Sequence, residues 1–250
     1  MSVDLSSMKL GKLPVRKDKR TLHLARYIKK LPAAPANADW TRNVTEWPMF
    51  KNDEVGNCAI AAPAHLIESW TASSQGSPKL LTDADVMAAY RSVSRYDPSE
   101  PMSDTGCVML DVLKWWRKQG IGNDRIVAFA SVNLKSHAQI CLAAYLFGGL
   151  YIGLELPMSA QSQEVWSTRS NGSDQSIGSW GGHAVGLHAY DPAGLTVSTW
   201  GELKRMTWPF FARYCSEAYA SLSQDFLKGD RAPNGFDIAT LAADLARVSN

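Results

Sequence analysis

The sequence predicts an α+β chain in which a helical half precedes a sheet half. Apolar residues recur at helical spacing through residues 57–147, whereas segments rich in strand-forming residues follow Gly149. With 250 residues, 45% of them apolar and 20% charged, the chain is large enough for one big domain or for two lobes that share a cleft. This composition excludes a fibrous or disordered protein.

The N-terminal segment is strongly basic. Residues 1–30 carry nine Lys/Arg against Asp4 and Asp18, a net charge of +7, which leaves −5 for the rest of the chain. A charge run is most often a solvated tail, but the leucines within this one favour an arm that lies along its own domain or binds a partner protein. We expect an arm and connector over residues 1–37. The total charge of +2 provides no field that would attract nucleic acid, so no nucleic-acid partner is expected.

Four helices are predicted in the first half. The first runs over residues 57–70, with Asn57 as its N-cap and Pro63 as a point where it kinks. The other three are predicted over 83–95, 106–119 and 136–147, and the Gly148-Gly149 pair ends the last of them.

Three strands are predicted after Gly149, over residues 150–154, 183–190 and 195–200, with a turn at 191–194 joining the last two. A long surface loop is expected over 159–182, a linker over 228–235 and a final amphipathic helix over 238–248. The domain organisation is therefore an arm over 1–37, a domain over 38–227 and a linker with a helix over 228–250. Within the domain we expect a helical lobe up to about residue 147 and a sheet lobe over about 148–227.

Targeting signals and cysteine usage constrain the location of the chain. Residues 1–20 lack the apolar core of a signal peptide, and the longest apolar run, over 140–154, is shorter than the roughly 20 residues that span a bilayer. We therefore expect no signal peptide, no membrane contact and a cytoplasmic or virion-associated location. The four cysteines are far apart and form no CxxC, which argues against a disulfide framework.

One cysteine and one histidine are candidates for catalysis. Cys58 falls in the first turn of the first predicted helix, where the helix dipole and unpaired amides favour a thiolate. His183 lies on a strand from the other half of the chain, from which a general base can reach a thiol across a cleft. For an isolated pair the alternative is commoner: a small buried cysteine and a hydrogen-bonded strand histidine.

Short motifs around these two residues change that balance. They are Ala38-Asp39-Trp40-Thr41, the stretch Lys51 to Cys58, Gly182-His183-Ala184-Val185 followed by Tyr190-Asp191, and Ser198-Thr199-Trp200-Gly201. Together and in this order they resemble the papain-like cysteine peptidase family over roughly residues 31–226, with the bacterial and phage-encoded members most similar.

The resemblance implies a papain-like α+β fold with a helical lobe, an antiparallel sheet lobe and an active-site cleft between them. It implies that Cys58 is the nucleophile and His183 the base. Ser198 stands where the family has an orienting asparagine, and Asn52 where it has the glutamine of the oxyanion hole. The residues expected to bind substrate are Gly56, Asn57, Gly182 and Trp200.

The function predicted on this basis is hydrolysis of polypeptide amide bonds through an acyl-enzyme. One alternative is a catalytically silent papain-like domain that acts as a structural or binding protein in a larger assembly such as a phage particle. Another is a related acyl transfer such as deamidation. No metal site or cofactor is expected, because the sequence contains no HExxH, GxGxxG or GxxxxGK[ST]. The 38 residues before Asp39 are fewer than the family's inhibitory pro-segment, so activation by removal of a folded prodomain is not expected.

Overall fold

The computed structural model describes residues 5–26, 33–169 and 172–227, together with Ala232 and Asn234. In this part of the chain the helices are α1 (Cys58–Gln75), α2 (Asp83–Ser94), α3 (Met109–Lys118), α4 (His137–Leu146) and α5 (Trp208–Tyr214). The four predicted helices are confirmed, and α5 was not predicted. The linker and final helix predicted over 228–250 lie almost wholly outside the described residues.

The first helix differs from its prediction in two ways. It continues past residue 70 to Gln75, where Gly76 ends it in the left-handed conformation (φ 85°). Pro63 lies within the first turns of the helix and does not end it. Asn57 occupies the N-cap position as expected, but its side chain makes no capping hydrogen bond.

The strands are β1 (Leu22–His23), β2 (Ala38–Asp39), β3 (Ile126–Ser131), β4 (Leu150–Leu156), β5 (Val165–Trp166), β6 (Gly181–Asp191), β7 (Gly194–Thr199), β8 (Glu202–Thr207) and β9 (Cys215–Ser223). Within the described ranges they form one sheet of nine strands in the order β1-β3-β9-β4-β6-β7-β8-β5, and β2 pairs with β6. Most pairs are antiparallel, and the exceptions are β1 with β3 and β5 with β8.

The sheet takes strands from both halves of the sequence. β3 lies between α3 and α4 but pairs with β9, and β1 of the arm pairs with β3. The prediction that the sheet begins after Gly149 is therefore incomplete. The loop predicted over 159–182 also contains β5 and two short 3-10 helices.

The helix α1 is buried along nearly its whole length and packs against the middle of the sheet at β6. Tyr151 of β4 donates a hydrogen bond to the carbonyl oxygen of Ala59 at 2.7 Å, which fixes the first turn of α1 to the sheet. Trp70 stacks on Trp116 of α3 with ring centroids 5.7 Å apart. This packing places the N-terminus of α1 directly at β6.

No helix within the described ranges is long and apolar enough to cross a membrane. The cysteines at positions 58, 107, 141 and 215, all in the described part, are free thiols.

Candidate active site

Cys58 is the first residue of α1 and is only 1% exposed. Its sulfur accepts a hydrogen bond from the backbone amide of Ala184 on β6 at 3.4 Å. Burial raises the pKa of the thiol to about 11, although the amides of Ala184 and Gly11 and the charge of Lys12 act in the opposite direction. The thiol is therefore protonated near neutral pH in this state.

His183 precedes Ala184 on β6 and is fully buried. Its Nε2 lies 2.6 Å from the hydroxyl oxygen of Thr199, and the indole of Trp200 stacks on its ring at 4.0 Å with an interplanar angle of 11°. Its Nδ1 has no hydrogen-bond partner among the described residues. Burial lowers the pKa of His183 to about 3, so the imidazole is neutral as well.

The prediction that Ser198 orients His183 is wrong. Ser198 is paired across the sheet with Gly186, and cross-strand partners share a face, so its hydroxyl reaches His188 at 2.8 Å. Thr199 is the next residue on β7 and therefore faces the opposite side, where His183 lies. The orienting hydroxyl is displaced by one residue along the motif, and the strand register, which the sequence does not show, decides which of the two hydroxyls it is.

Asn52 is also placed differently from its expected role. Its side chain is buried, and its amide nitrogen donates to the carbonyl oxygen of Val55 at 3.2 Å. Phe50 and Lys51 have positive φ values of 54° and 58°, which folds the loop back on itself at this point. The amide assigned to the oxyanion is thus hydrogen-bonded within its own loop.

The side chain of Asn57 likewise points into the protein. Its amide nitrogen donates to the carbonyl oxygen of Phe50 at 2.6 Å. Asn57 is fully buried, so a substrate would meet its backbone and not its side chain.

The arm runs through the groove over Cys58. Lys12 donates its backbone amide to the carbonyl oxygen of Gly182 at 3.1 Å, immediately before His183. On the opposite wall the backbone amide of Cys107 donates to the carbonyl oxygen of Gly11 at 2.8 Å. The carbonyl oxygen of Cys107 accepts from the amide of Leu13 at 2.9 Å, so the two segments form a parallel bridge. The described part of the arm therefore lies along its own domain, one of the two expectations for it.

Trp200 contributes to the same groove. Its indole nitrogen donates to the carbonyl oxygen of Lys9 at 3.2 Å. Trp200 therefore touches both His183 and the backbone of the arm segment that lies in the groove.

Glycines line the path of the arm. A Cβ atom on Gly11 would collide with the carbonyl oxygen of Gly56, and one on Gly182 would collide with the carbonyl oxygen of Lys12. A Cβ on Gly56 would lie 2.7 Å from the carbonyl oxygen of Leu10. The groove therefore holds a polypeptide backbone at a distance that only glycine walls permit.

Two residues that the sequence analysis did not single out hold these walls in place. Asp104 accepts the backbone amide of Gly56 at 3.1 and 3.0 Å and also the hydroxyl of Tyr90. Tyr90 in turn accepts the amide of Gly106 at 3.1 Å. In the sequence, the local signal for this wall is Gly106, directly before Cys107, with the acidic Asp104 two residues earlier.

Among the residues that the structure describes, no group of three His, Cys, Asp or Glu side chains is placed to hold a metal ion.

Comparison with solved structures finds many similar chains. Xylellain, a cysteine protease from Xylella fastidiosa, is 13% identical with a TM-score of 0.65 over 89% of this chain and 97% of its own. A digestive procathepsin L 3 from the larval midgut of Tenebrio molitor is 11% identical with a TM-score of 0.59, over 87% of this chain and 77% of its own. A cysteine protease of Carica candamarcensis is 14% identical with a TM-score of 0.52, over 75% of this chain and 98% of its own.

No protein-family model matches the chain, and no curated protein matches it. The structural likeness is to papain-like cysteine proteases throughout, and the chain has their α+β fold, as its sequence motifs predicted.

Proposed function

We propose that this papain-like chain is a cysteine peptidase and that its N-terminal arm closes the cleft in the state described above. The observation that carries the proposal is that the Cys58 thiol, at the start of α1, contacts the strand residue next to His183. The Cys58 sulfur accepts the amide of the residue that follows His183, and His183 is fixed by Thr199 and Trp200.

The contact between Nε2 and Thr199 suits one division of roles between the two imidazole nitrogens. If Nε2 carries the proton and donates it to the hydroxyl oxygen, Nδ1 is the basic nitrogen, and it has no other partner among the described residues. Nδ1 then takes the proton of the Cys58 thiol, and the thiolate attacks the carbonyl carbon of a peptide bond. The backbone amide of Cys58 itself, at the N-terminus of α1, is the donor we assign to the developing oxyanion.

Attack of the thiolate gives a tetrahedral intermediate. Its collapse breaks the C–N bond, and His183 returns its proton to the leaving amine. The acyl group remains on Cys58 as a thioester. Water then attacks the thioester carbon while His183 takes up a proton from that water. The carboxylic acid product leaves, and the thiol and the neutral imidazole are restored.

In the described state the arm prevents this reaction. The backbone amide of Gly11 faces the sulfur, so the arm offers the thiol an N–H group and not a carbonyl carbon. The arm also excludes water, which keeps both Cys58 and His183 neutral. Farther along, arm residues between Val15 and His23 line a cavity of about 350 Å³. We propose that the arm leaves the groove before a polypeptide enters, and that a partner protein binding its basic residues favours this step.

Gly11→Ala in the full chain tests the proposal, because the added Cβ collides with the carbonyl oxygen of Gly56 and so forces the arm out. The variant is compared with the natural chain for iodoacetamide labelling of Cys58 and for hydrolysis of fluorogenic peptides. Val15→Ala is the matched control, since Val15 is an arm residue that is 36% exposed.

We expect fast labelling and peptide hydrolysis in Gly11→Ala, both lost when Cys58→Ala or His183→Ala is added. A folded Gly11→Ala protein whose thiol labels fast but independently of His183, and which cleaves no peptide, would contradict the proposal. That result would favour the catalytically silent binding protein.

A further inference from the structure

The side chain of Lys12 enters an acidic pocket beside the thiol. Its ammonium group is fully buried and lies 2.7 Å from a carboxylate oxygen of Glu155 and 3.4 Å from one of Glu217. It also donates to the carbonyl oxygen of Leu13 at 3.3 Å. A buried lysine beside carboxylates offsets part of their charge, and burying either sign alone would be costly; here one ammonium faces two carboxylates.

Both carboxylates are held in place by hydroxyl groups. Ser216 donates to Glu155 at 3.2 Å, and Tyr219 donates to Glu217 at 2.8 Å. Burial raises the pKa of Glu217, and the ammonium of Lys12 opposes that rise. These hydroxyl contacts hold the two carboxylates at the end of the pocket.

The pocket has the length of a lysine side chain because residue 153 is glycine. A Cβ atom at Gly153 would collide with Cε of Lys12 and would lie 2.6 Å from the sulfur of Met109. The aliphatic part of Lys12 thus passes a site without a side chain, next to a methionine, and its charge ends at the carboxylates. Surroundings that are apolar along their length and acidic at their end suit a long side chain with a terminal cation.

The position of this pocket in the groove is set by the backbone. The backbone amide of Lys12 is hydrogen-bonded to Gly182, the residue before His183. On the opposite wall Lys12 forms a β-bridge with Cys107. A bound polypeptide that used the same two edges would place a side chain in this pocket within a residue or two of the bond over Cys58.

We propose that Met109, Gly153, Glu155 and Glu217 form the specificity pocket of the enzyme and that it selects a lysine or arginine side chain of the substrate. This inference rests on the proposed peptidase function and names its substrate class. Lys12 then occupies the pocket as an internal mimic of the substrate. An apolar side chain there would leave the buried Glu217 and the partly exposed Glu155 without a cation, a situation that sites built for polar groups reject by large factors.

Peptide hydrolysis by Gly11→Ala tests the pocket. Fluorogenic peptides carry Lys, Arg, Leu or Phe at each of the two positions before the scissile bond. We expect kcat/KM for Lys or Arg at one of these positions to exceed that for Leu by about 100-fold or more. Glu217→Gln and Glu155→Gln should reduce this ratio at least about 10-fold. Glu164→Gln, at an exposed glutamate outside the pocket, should leave it unchanged.

A binding measurement keeps the test independent of catalysis. A peptide with the sequence of residues 7–17 is titrated by calorimetry into the full chain carrying Gly11→Ala and Cys58→Ala. The natural peptide and its Arg form should bind at least about 10-fold more tightly than its Leu form, and Glu217→Gln should abolish the difference. If Gly11→Ala does not fold, Lys12→Glu replaces it, since a third carboxylate in the pocket expels the arm.

The outcomes separate the two proposals. Equal affinity and equal hydrolysis for Lys and Leu peptides, with fast labelling of Cys58, would overturn the specificity pocket and leave the peptidase function standing. A preference for Lys in binding without any hydrolysis would support the pocket and contradict the peptidase.

Discussion

The Nε2 atom of His183 lies 2.6 Å from the hydroxyl oxygen of Thr199, whereas the hydroxyl of the neighbouring Ser198 is hydrogen-bonded to His188. Two adjacent residues of β7 thus serve two buried histidines on opposite faces of the sheet. Substitutions at the two positions should therefore have different consequences, one for activity and the other for stability.

Thr199→Val should lower kcat of the arm-open Gly11→Ala enzyme by about 10-fold to 100-fold, because the imidazole loses the acceptor that fixes its orientation and tautomer. Thr199→Ser keeps the hydroxyl and should restore most of the activity. The pH dependence of kcat/KM is the decisive measurement, since a residue that acts through His183 shifts the acidic limb. An unchanged profile and rate in Thr199→Val would exclude the positioning role.

Ser198→Ala should instead lower the free energy of unfolding by about 1–3 kcal/mol, because it leaves Nε2 of the buried His188 without a partner. Its effect on kcat of the arm-open enzyme should be less than about 3-fold. Urea denaturation followed by tryptophan fluorescence measures the first quantity. A large loss of activity with unchanged stability would assign Ser198 to the active site after all.

The labelling of Cys58 should depend on pH differently in the closed and open states. Burial raises its pKa to about 11 and lowers that of His183 to about 3, so labelling of the natural chain should be slow near neutral pH and should rise toward pH 11. Gly11→Ala admits water, which lowers the thiol pKa and raises that of the imidazole. The labelling rate near pH 7 should then increase at least about 10-fold. Superimposable profiles for the two proteins would show that the arm does not control the thiol.

Asp104→Ala should destabilise the groove wall. It removes the acceptor of both the Gly56 amide and the Tyr90 hydroxyl, at a cost of about 2–4 kcal/mol in the free energy of unfolding. Asp53→Ala, at an exposed aspartate of the preceding loop, should stay within about 0.5 kcal/mol of the natural chain. Equal denaturation midpoints for the two variants would refute the supporting role of Asp104.

Glu68 should make stability fall with rising pH. It is fully buried in α1, and burial raises its pKa from 4.5 to about 8. The folded state therefore holds a proton that the unfolded state releases. The contribution of this proton to the free energy of unfolding is complete below pH 4.5 and is lost as pH rises toward 8. Glu68→Gln should exceed the natural chain in stability by about 2–4 kcal/mol above pH 8 and by much less at pH 4. Glu54→Gln, at an exposed glutamate, is the control, and parallel stability curves for Glu68→Gln and the natural chain would contradict this assignment.

The sequence predicted the helices better than the sheet. Helical periodicity and stop signals such as the Gly148-Gly149 pair are local, and α2, α3 and α4 lie within three residues of their predicted bounds. β8 carries Glu202, Lys204 and Arg205, and β9 is rich in alanine and serine, so neither has the composition of a strand. These strands form because their neighbours pair with them, which is a long-range effect.

The site shows the same division between local and long-range information. The positions of Cys58 at a helix start and of His183 on a facing strand follow from local patterns. The choice between Ser198 and Thr199 depends on the register of β6 with β7, which shifts between Leu187 and Ala189. The path of the arm depends on contacts between glycines such as Gly11 and Gly56, and no short-range signal reports them.

The arm and the groove belong to one polypeptide, joined through β2. The arm therefore competes with any incoming chain as a tethered ligand, with an effective concentration on the order of millimolar that does not change when the protein is diluted. A single cut between residue 26 and β2 would turn the arm into a separate molecule. Its departure would then follow ordinary dissociation, and its inhibition of the groove would be relieved by dilution.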